Sequence, residues 1–180
     1  WGNTWLDLSS LEARQRAVQR FAAHIRTLNE NERDDAVQRA CYALQVTDDA
    51  VQRRSPMLVW DQVREMAESG IEIGAHTVTH PILSQLSYQR QEEEIAHSID
   101  TLEKRIGERS CVFAYPNGRY EDFDEATIQI LKKSGIKAAC TTVFGTNNQD
   151  TDMFRLRRGA ARLKDENGFA RQMVIYRLID

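Results

Sequence analysis

Hydrophobic and polar positions repeat with two different periods along this chain, and the changes of period divide it into elements. Leu11, Val18, Phe21, Ala22, Ile25 and Leu28 recur at helical spacing, and Ser9 with Glu12 before them reads as a capping box. Asn29 to Asn31 interrupt that helix, and Ala36, Val37, Ala40, Cys41 and Leu44 mark the face of a second. The two predict a helical hairpin. From Met57 onward the pattern becomes helix, glycine, strand. Asp61 is placed to cap a helix with Val63, Met66 and Ala67 on its apolar face, and Gly70 to end it. Ile71 and Ile73 then point one way and Glu72 the other, which is strand periodicity. Next comes a long helix over about 88–106, with Ile95, Ile99, Leu102 and Ile106 as its buried stripe and Gly107 after it. Cys111 to Pro116 reads as a short strand stopped by proline, and Asn117-Gly118 as a turn. Asp122 and Glu125 form another capping-box pattern, for a helix with Phe123, Ile128, Ile130 and Leu131. Gly135 ends it, and Ile136 to Thr142 is the next strand. Phe154 to Arg158 alternates like a strand, and Phe169, Met173 and Tyr176 lie on a last helix over about 166–178.

Three helix–glycine–strand units imply an α/β fold with parallel strands, barrel-like or open. The helical hairpin occupies 1–56 and the α/β part 57–180, within one structural domain overall. At 180 residues the chain is long enough for a real core. A net charge of -3 implies no broad basic surface for nucleic acid. No apolar run approaches the roughly 20 residues of a membrane span. There is no signal-peptide pattern, and the chain opens on Trp1, the start expected of a processed product, an excised piece or a chain missing its beginning. Cys41, Cys111 and Cys140 are widely spaced and odd in number, which argues against a disulfide scaffold or zinc knuckle and predicts buried free thiols.

The candidate chemistry centres on His76 and His80, four residues apart at the end of a predicted strand and just before Pro81. The β-branched Thr77, Val78 and Thr79 between them disfavour a helix, so the pair sits on a strand-end loop. Two neutral imidazoles there supply two ligands to a borderline metal such as Zn²⁺, although such pairs also occur in ordinary loops. His24 and His97 read as structural and surface histidines. Asp48-Asp49 follows a helix with no strand leading into it, the setting of a polar turn and N-cap. Glu92, Glu93 and Glu94 read as a solvated face that complements the helix dipole. Arg158 falls on the same side as Phe154 and Leu156, where a charge needs a partner. It is either an inward-pointing functional arginine or a strand-end salt bridge.

The unit Gly-Ile-Glu-Ile-Gly-Ala-His-Thr-Val-Thr-His-Pro-Ile-Leu-Ser, followed by a long helix and then Phe-Ala-Tyr-Pro-Asn-Gly, resembles the polysaccharide deacetylase family. That family is also called the NodB-homology family or carbohydrate esterase family four. The resemblance runs from about Met57 to Arg158. It implies part of a deformed (β/α) barrel with its site at the carboxyl ends of the strands. It also implies a metal-dependent hydrolase that removes acetyl groups from N-acetylated polysaccharide or exopolysaccharide. By resemblance, His76 and His80 are ligands of a divalent metal, usually zinc, and Thr77 orients a histidine or steadies the loop. Tyr115, Pro116 and Asn117 form one wall of the substrate groove, and a backbone N–H near Asn117 lies close to the oxyanion.

The chain departs from the family pattern in three places. The T-F-D-D motif, source of the general base and the third metal ligand, has no counterpart, as if the N-terminal strands were lacking; Asp34-Asp35 is helical. Ala114 stands where many members have an arginine, and Arg158 is the candidate to orient the base instead. No histidine follows His97 to act as the acid. The activity of this chain alone therefore depends on carboxylates not identified in it. The alternative is a non-catalytic carbohydrate- or partner-binding remnant of the same fold. An open barrel edge is also suited to pairing with a second copy as a homodimer. Many relatives work outside the cytoplasm, but no signal here assigns a location.

Overall fold

Caps and glycines set the helix boundaries in the computed structural model, which describes residues 6–46 and 57–159. The chain divides into two compact units, Trp1–Met57 and Leu58–Asp180. In the first, α1 spans Leu11–Ile25 and α2 spans Glu30–Ala43. The cap of α1 is Ser10, one residue beyond the predicted Ser9, and its hydroxyl accepts the Ala13 N–H at 3.1 Å. Ser9 instead donates its N–H to Asp7. Asn29, expected only to break the first helix, caps the second in a reciprocal box with Glu32. Ala36 is buried, as its place on the second face predicts, but in α1 the buried residues are Ala13 and Ala17, whereas Leu11 and Val18 are 71% and 68% exposed. Phe21, Ala22, Ile25 and Leu28 of the predicted face are half-buried, but the innermost positions of α1 are small, Ala13 and Ala17.

The second unit carries the α/β alternation. Helix α3 is Trp60–Glu68, α4 is Tyr88–Ile106 and α5 is Glu125–Lys133. Asp61 is not the cap of α3. It lies in the first turn and pairs with Arg64, while Val59 donates its N–H to the Gln62 side chain. Asp122 does not cap α5 either. That role falls to Asp124, which accepts the Thr127 N–H, and Asp122 accepts the Arg119 N–H. Gly70, Gly107 and Gly135 each follow a helix with positive φ, as read. The Ile71 N–H returns to the Met66 carbonyl and that of Ile136 to Leu131, so each chain reversal satisfies a helix-end carbonyl.

The strands β1 (Val112–Ala114) and β2 (Ala138–Cys140) pair in parallel, with Phe113 opposite Ala139. Ala75 bridges Phe113 and Leu156 bridges Cys140, both in parallel. Four parallel segments thus lie side by side in chain order. All four are shorter than predicted, and two reduce to single bridges. The 71–73 strand contracts to the bridge at Ala75, where the neighbouring chain first offers the Val112 carbonyl. The 154–158 strand contracts to Leu156, because Asp152 draws the chain into a turn by accepting the Phe154 N–H on its side chain.

The core lies between these segments and the helices, built from Leu83, Ile95, Ile99, Phe113, Tyr115, Phe123, Ile128, Leu131 and Ala139 among others. The Tyr115 ring stacks on Phe123 with centroids 3.8 Å apart and planes within 3°. Its hydroxyl donates to the Phe154 carbonyl at 2.8 Å, tying β1 to the last segment. Tyr115→Phe removes that bond and leaves the carbonyl short of a partner. A loss of about 1–2 kcal/mol is expected in urea denaturation, with an unchanged slope. Among the described residues no helix is long and apolar enough to cross a membrane. The cysteines are free, but the expected burial fails: Cys41 is exposed and Cys111 and Cys140 are partly buried. Asp48-Asp49 and the helix expected over 166–178 lie outside the described residues.

Candidate metal centre

Ala75 is held on both sides of its peptide. Its N–H donates to the Val112 carbonyl and its own carbonyl accepts the Ala114 N–H, each at 3.0 Å. The next residue, His76, therefore leaves the sheet at a fixed point. Its Nδ1 lies 2.6 Å from the Ala114 carbonyl oxygen. A carbonyl can only accept, so Nδ1 carries the proton, and in the neutral ring the lone pair sits on Nε2. A backbone carbonyl on the far nitrogen is the usual outer partner of a metal-binding imidazole.

The chain then turns sharply. Thr77 has φ +61 and His80 has φ +59. Left-handed backbone at non-glycine residues costs of order 1–3 kcal/mol each and persists only where surrounding structure holds it. The Thr77 hydroxyl accepts the His80 N–H at 3.2 Å, closing the turn. Val78 and Thr79 donate their N–H groups to Glu94 Oε2 at 2.8 and 2.9 Å, and the Thr79 hydroxyl donates to Oε1 at 2.9 Å. The result sets two exposed imidazoles side by side, with ring centroids 4.8 Å apart and planes at 77°.

The donor set fits a zinc ion in part. Two imidazoles, one already oriented through its second nitrogen, match the nitrogen ligands of a catalytic site. Among the described residues, however, no group of three or more His, Cys, Asp or Glu is placed to hold a metal. A carboxylate needed to finish the set has to come from elsewhere.

The loop after β1 reaches the same end of the parallel segments. Pro116 and Gly118 are buried, and Asn117 has φ +60. The Asn117 carbonyl accepts the Thr142 hydroxyl, and Gly118 accepts the Thr142 N–H at 2.8 Å, which pins the loop to the end of β2. The Asn117 N–H donates to no group among the described residues, so it is available to a ligand. Tyr115 is placed differently from a groove wall: its ring belongs to the core, and burial pushes its hydroxyl pKa up. Arg158 is exposed rather than turned to the apolar side. Its Nε donates to the Thr141 carbonyl and its N–H to Val143, so it is anchored beside the carboxyl end of β2. The turn at 152–155 explains the change of side. His97 is exposed.

Glu94 departs from its sequence pattern: it continues the Glu92-Glu93 run and reads as part of a solvated face, yet it is 3% exposed. The signal was available in spacing: Gln91, Glu94 and Ser98 run beside the Ile95–Ile99 stripe, and all three are buried. A carboxylate on a buried helical face needs donors, and the loop amides supply them.

The sequence profile of the polysaccharide deacetylase family matches residues 33–139. A Bacillus subtilis (strain 168) protein named as a polysaccharide deacetylase, YxkH, is 34% identical over 101 residues, covering 56% of this chain and 35% of that protein. Among solved structures, the Streptococcus pyogenes deacetylase PplD in complex with acetate is 31% identical with a TM-score of 0.54, over 59% of this chain and 46% of that one. IcaB from Ammonifex degensii is 26% identical with a TM-score of 0.50, over 66% of this chain and 52% of that one. The chain thus spans between 35% and 52% of the length of these relatives. With the profile covering more than half of its residues and the parallel α/β segments superposing on such structures, this chain belongs to the polysaccharide deacetylase family and folds as part of its (β/α) barrel.

Proposed function

We propose that this chain supplies the two-histidine half of a metal-dependent site that removes acetyl groups from N-acetylated polysaccharide. The observation that carries this reading is the His76–His80 pair, with Nδ1 of His76 committed to the Ala114 carbonyl. His76 and His80 would hold a divalent ion, and imidazole donors favour zinc. Such an ion, when bound, polarises an acetamido carbonyl and lowers the pKa of a coordinated water. The remaining work falls to the chain itself. The Asn117 N–H is a preorganised donor for the developing oxyanion, worth about 3 kcal/mol where such donors have been removed. Pro116 and the Asn117 backbone form the groove wall, and Tyr115 supports it from the core. Arg158, anchored to the Thr141 carbonyl, is the cation that orients the base. The third ligand and the base would be the carboxylates of a T-F-D-D motif, which this sequence does not contain.

The test is acetate release from N-acetylated chito-oligosaccharide with added zinc. It is measured on this chain and on a longer version carrying strands with a T-F-D-D motif. The expected result is negligible release from the first and turnover by the second, abolished by chelator. Turnover insensitive to metal removal would sink the reading. The missing three-donor cluster among the described residues favours one alternative, a non-catalytic carbohydrate-binding form. That form would retain oligosaccharide in both versions and release no acetate from either.

A further inference from the structure

We propose that Glu94 is a positioning residue whose buried carboxylate holds the loop between His76 and His80 in the left-handed turn that sets the two imidazoles side by side. The argument begins with the loop. Thr77 is β-branched, and for such a residue positive φ is a true outlier. A turn of this kind relaxes unless it is tied at several points. Three ties come from one side chain, through the two N–H groups of Val78 and Thr79 and the Thr79 hydroxyl. All three donors lie between the histidines, and the carboxylate sits on α4, sixteen residues beyond Val78. Arg90 also lies close, with its Nη2 3.6 Å from Oε1.

The burial of Glu94 also needs a reason. Burying a carboxylate is costly unless its lone pairs are met, and the loop donors meet them. Helix and loop therefore fix each other. Ile95 and Ile99 anchor this face of α4 in the core, so the carboxylate has little freedom to follow a moving loop. Without it the loop amides would turn to water, and the fixed spacing of the rings would go.

The consequence for metal binding rests on the function proposed above, and the experiment separates the two. Amide exchange is read at Val78 and Thr79, with Leu131 in the core as internal reference, and zinc affinity is read by titration. Glu94→Leu keeps the bulk and removes the acceptors. Exchange at the two loop amides is expected to rise roughly a hundredfold relative to Leu131, and zinc affinity to fall roughly ten- to a hundredfold. Glu94→Gln still accepts both N–H groups through one oxygen, while its amide donates to the Thr79 hydroxyl. It is expected to restore both readings to within about threefold of the parent. Should the leucine variant not fold, Glu94→Asp withdraws the carboxylate by one methylene and is read the same way. Loop amides as protected as in the parent overturn the proposal. So does a loss shared equally by Leu131, which marks a merely structural role, or a glutamine variant as impaired as leucine. A parent that binds no zinc overturns the metal reading instead, and the exchange comparison still decides the positioning role.

Discussion

Zinc affinity is expected to fall roughly a hundred- to a thousandfold in His76→Ala, with a folded chain. The magnitude comes from dividing the ligand energy. Structural zinc sites in small peptides gain about 10–16 kcal/mol from four ligands, or about 3 kcal/mol for each, which is two to three orders of magnitude in affinity. His76 is exposed, so its removal leaves no cavity in the core. The Ala114 carbonyl loses its partner, but at an exposed position water replaces it. The change should therefore be specific to metal, with the thermal midpoint of the metal-free chain held within about 2 °C. His80→Ala is expected to match it, because each ring supplies one ligand. His97→Ala is the control: His97 is exposed on α4 and should change neither reading. Isothermal titration with zinc measures all three. An affinity in His76→Ala equal to that of the parent would remove the metal from this site altogether.

Whatever was legible in the sequence was local. Helix α4 has the bounds its sequence predicts, because the isoleucine stripe and Gly107 act within one helix. The three glycine stops were legible for the same reason: positive φ after a helix is a property of one residue. The histidine loop was placed correctly at a strand end because β-branched residues and Pro81 exclude a helix through it. What failed depended on partners distant in sequence. Ile71 and Ile73 alternate like a strand, yet a strand exists only where a neighbour offers its backbone, and that begins at Ala75. Tyr115 read as a groove residue from its motif, but its hydroxyl belongs to Phe154, 39 residues on. Glu94 is the plainest case. Three consecutive glutamates look like one solvated face, and only the loop that docks on the third distinguishes it. The site was therefore legible as a pair of ligands and illegible as a scaffold.

That scaffold has a second pinned point, and Gly118→Ala is expected to cost about 2–4 kcal/mol by breaking it. Gly118 has φ +73, where a side chain is strained whatever the space around it. The space is also absent. A Cβ there would lie 2.9 Å from the Thr142 nitrogen and 3.0 Å from the Tyr115 carbonyl oxygen. Both are backbone atoms in paired segments, so neither gives way as a flexible side chain would. The Thr142 N–H is also the group that donates to the Gly118 carbonyl, so relief of the clash pulls that bond apart. For a chain of this length the thermal midpoint should drop by about 5–15 °C. Gly70→Ala provides the comparison. Gly70 has φ +86 but nothing within 4 Å of its missing Cβ, so only the conformational cost of about 1 kcal/mol applies. A scanning calorimetry trace in which the two variants melt together would show that the contact with Thr142 carries no weight. If Gly118→Ala melts well below Gly70→Ala, the close contact with Thr142 and Tyr115 carries the difference. In the longer version proposed above to release acetate, Gly118→Ala is expected to lower that release at temperatures where the protein remains folded, because the Asn117 N–H lies beside the strained contact.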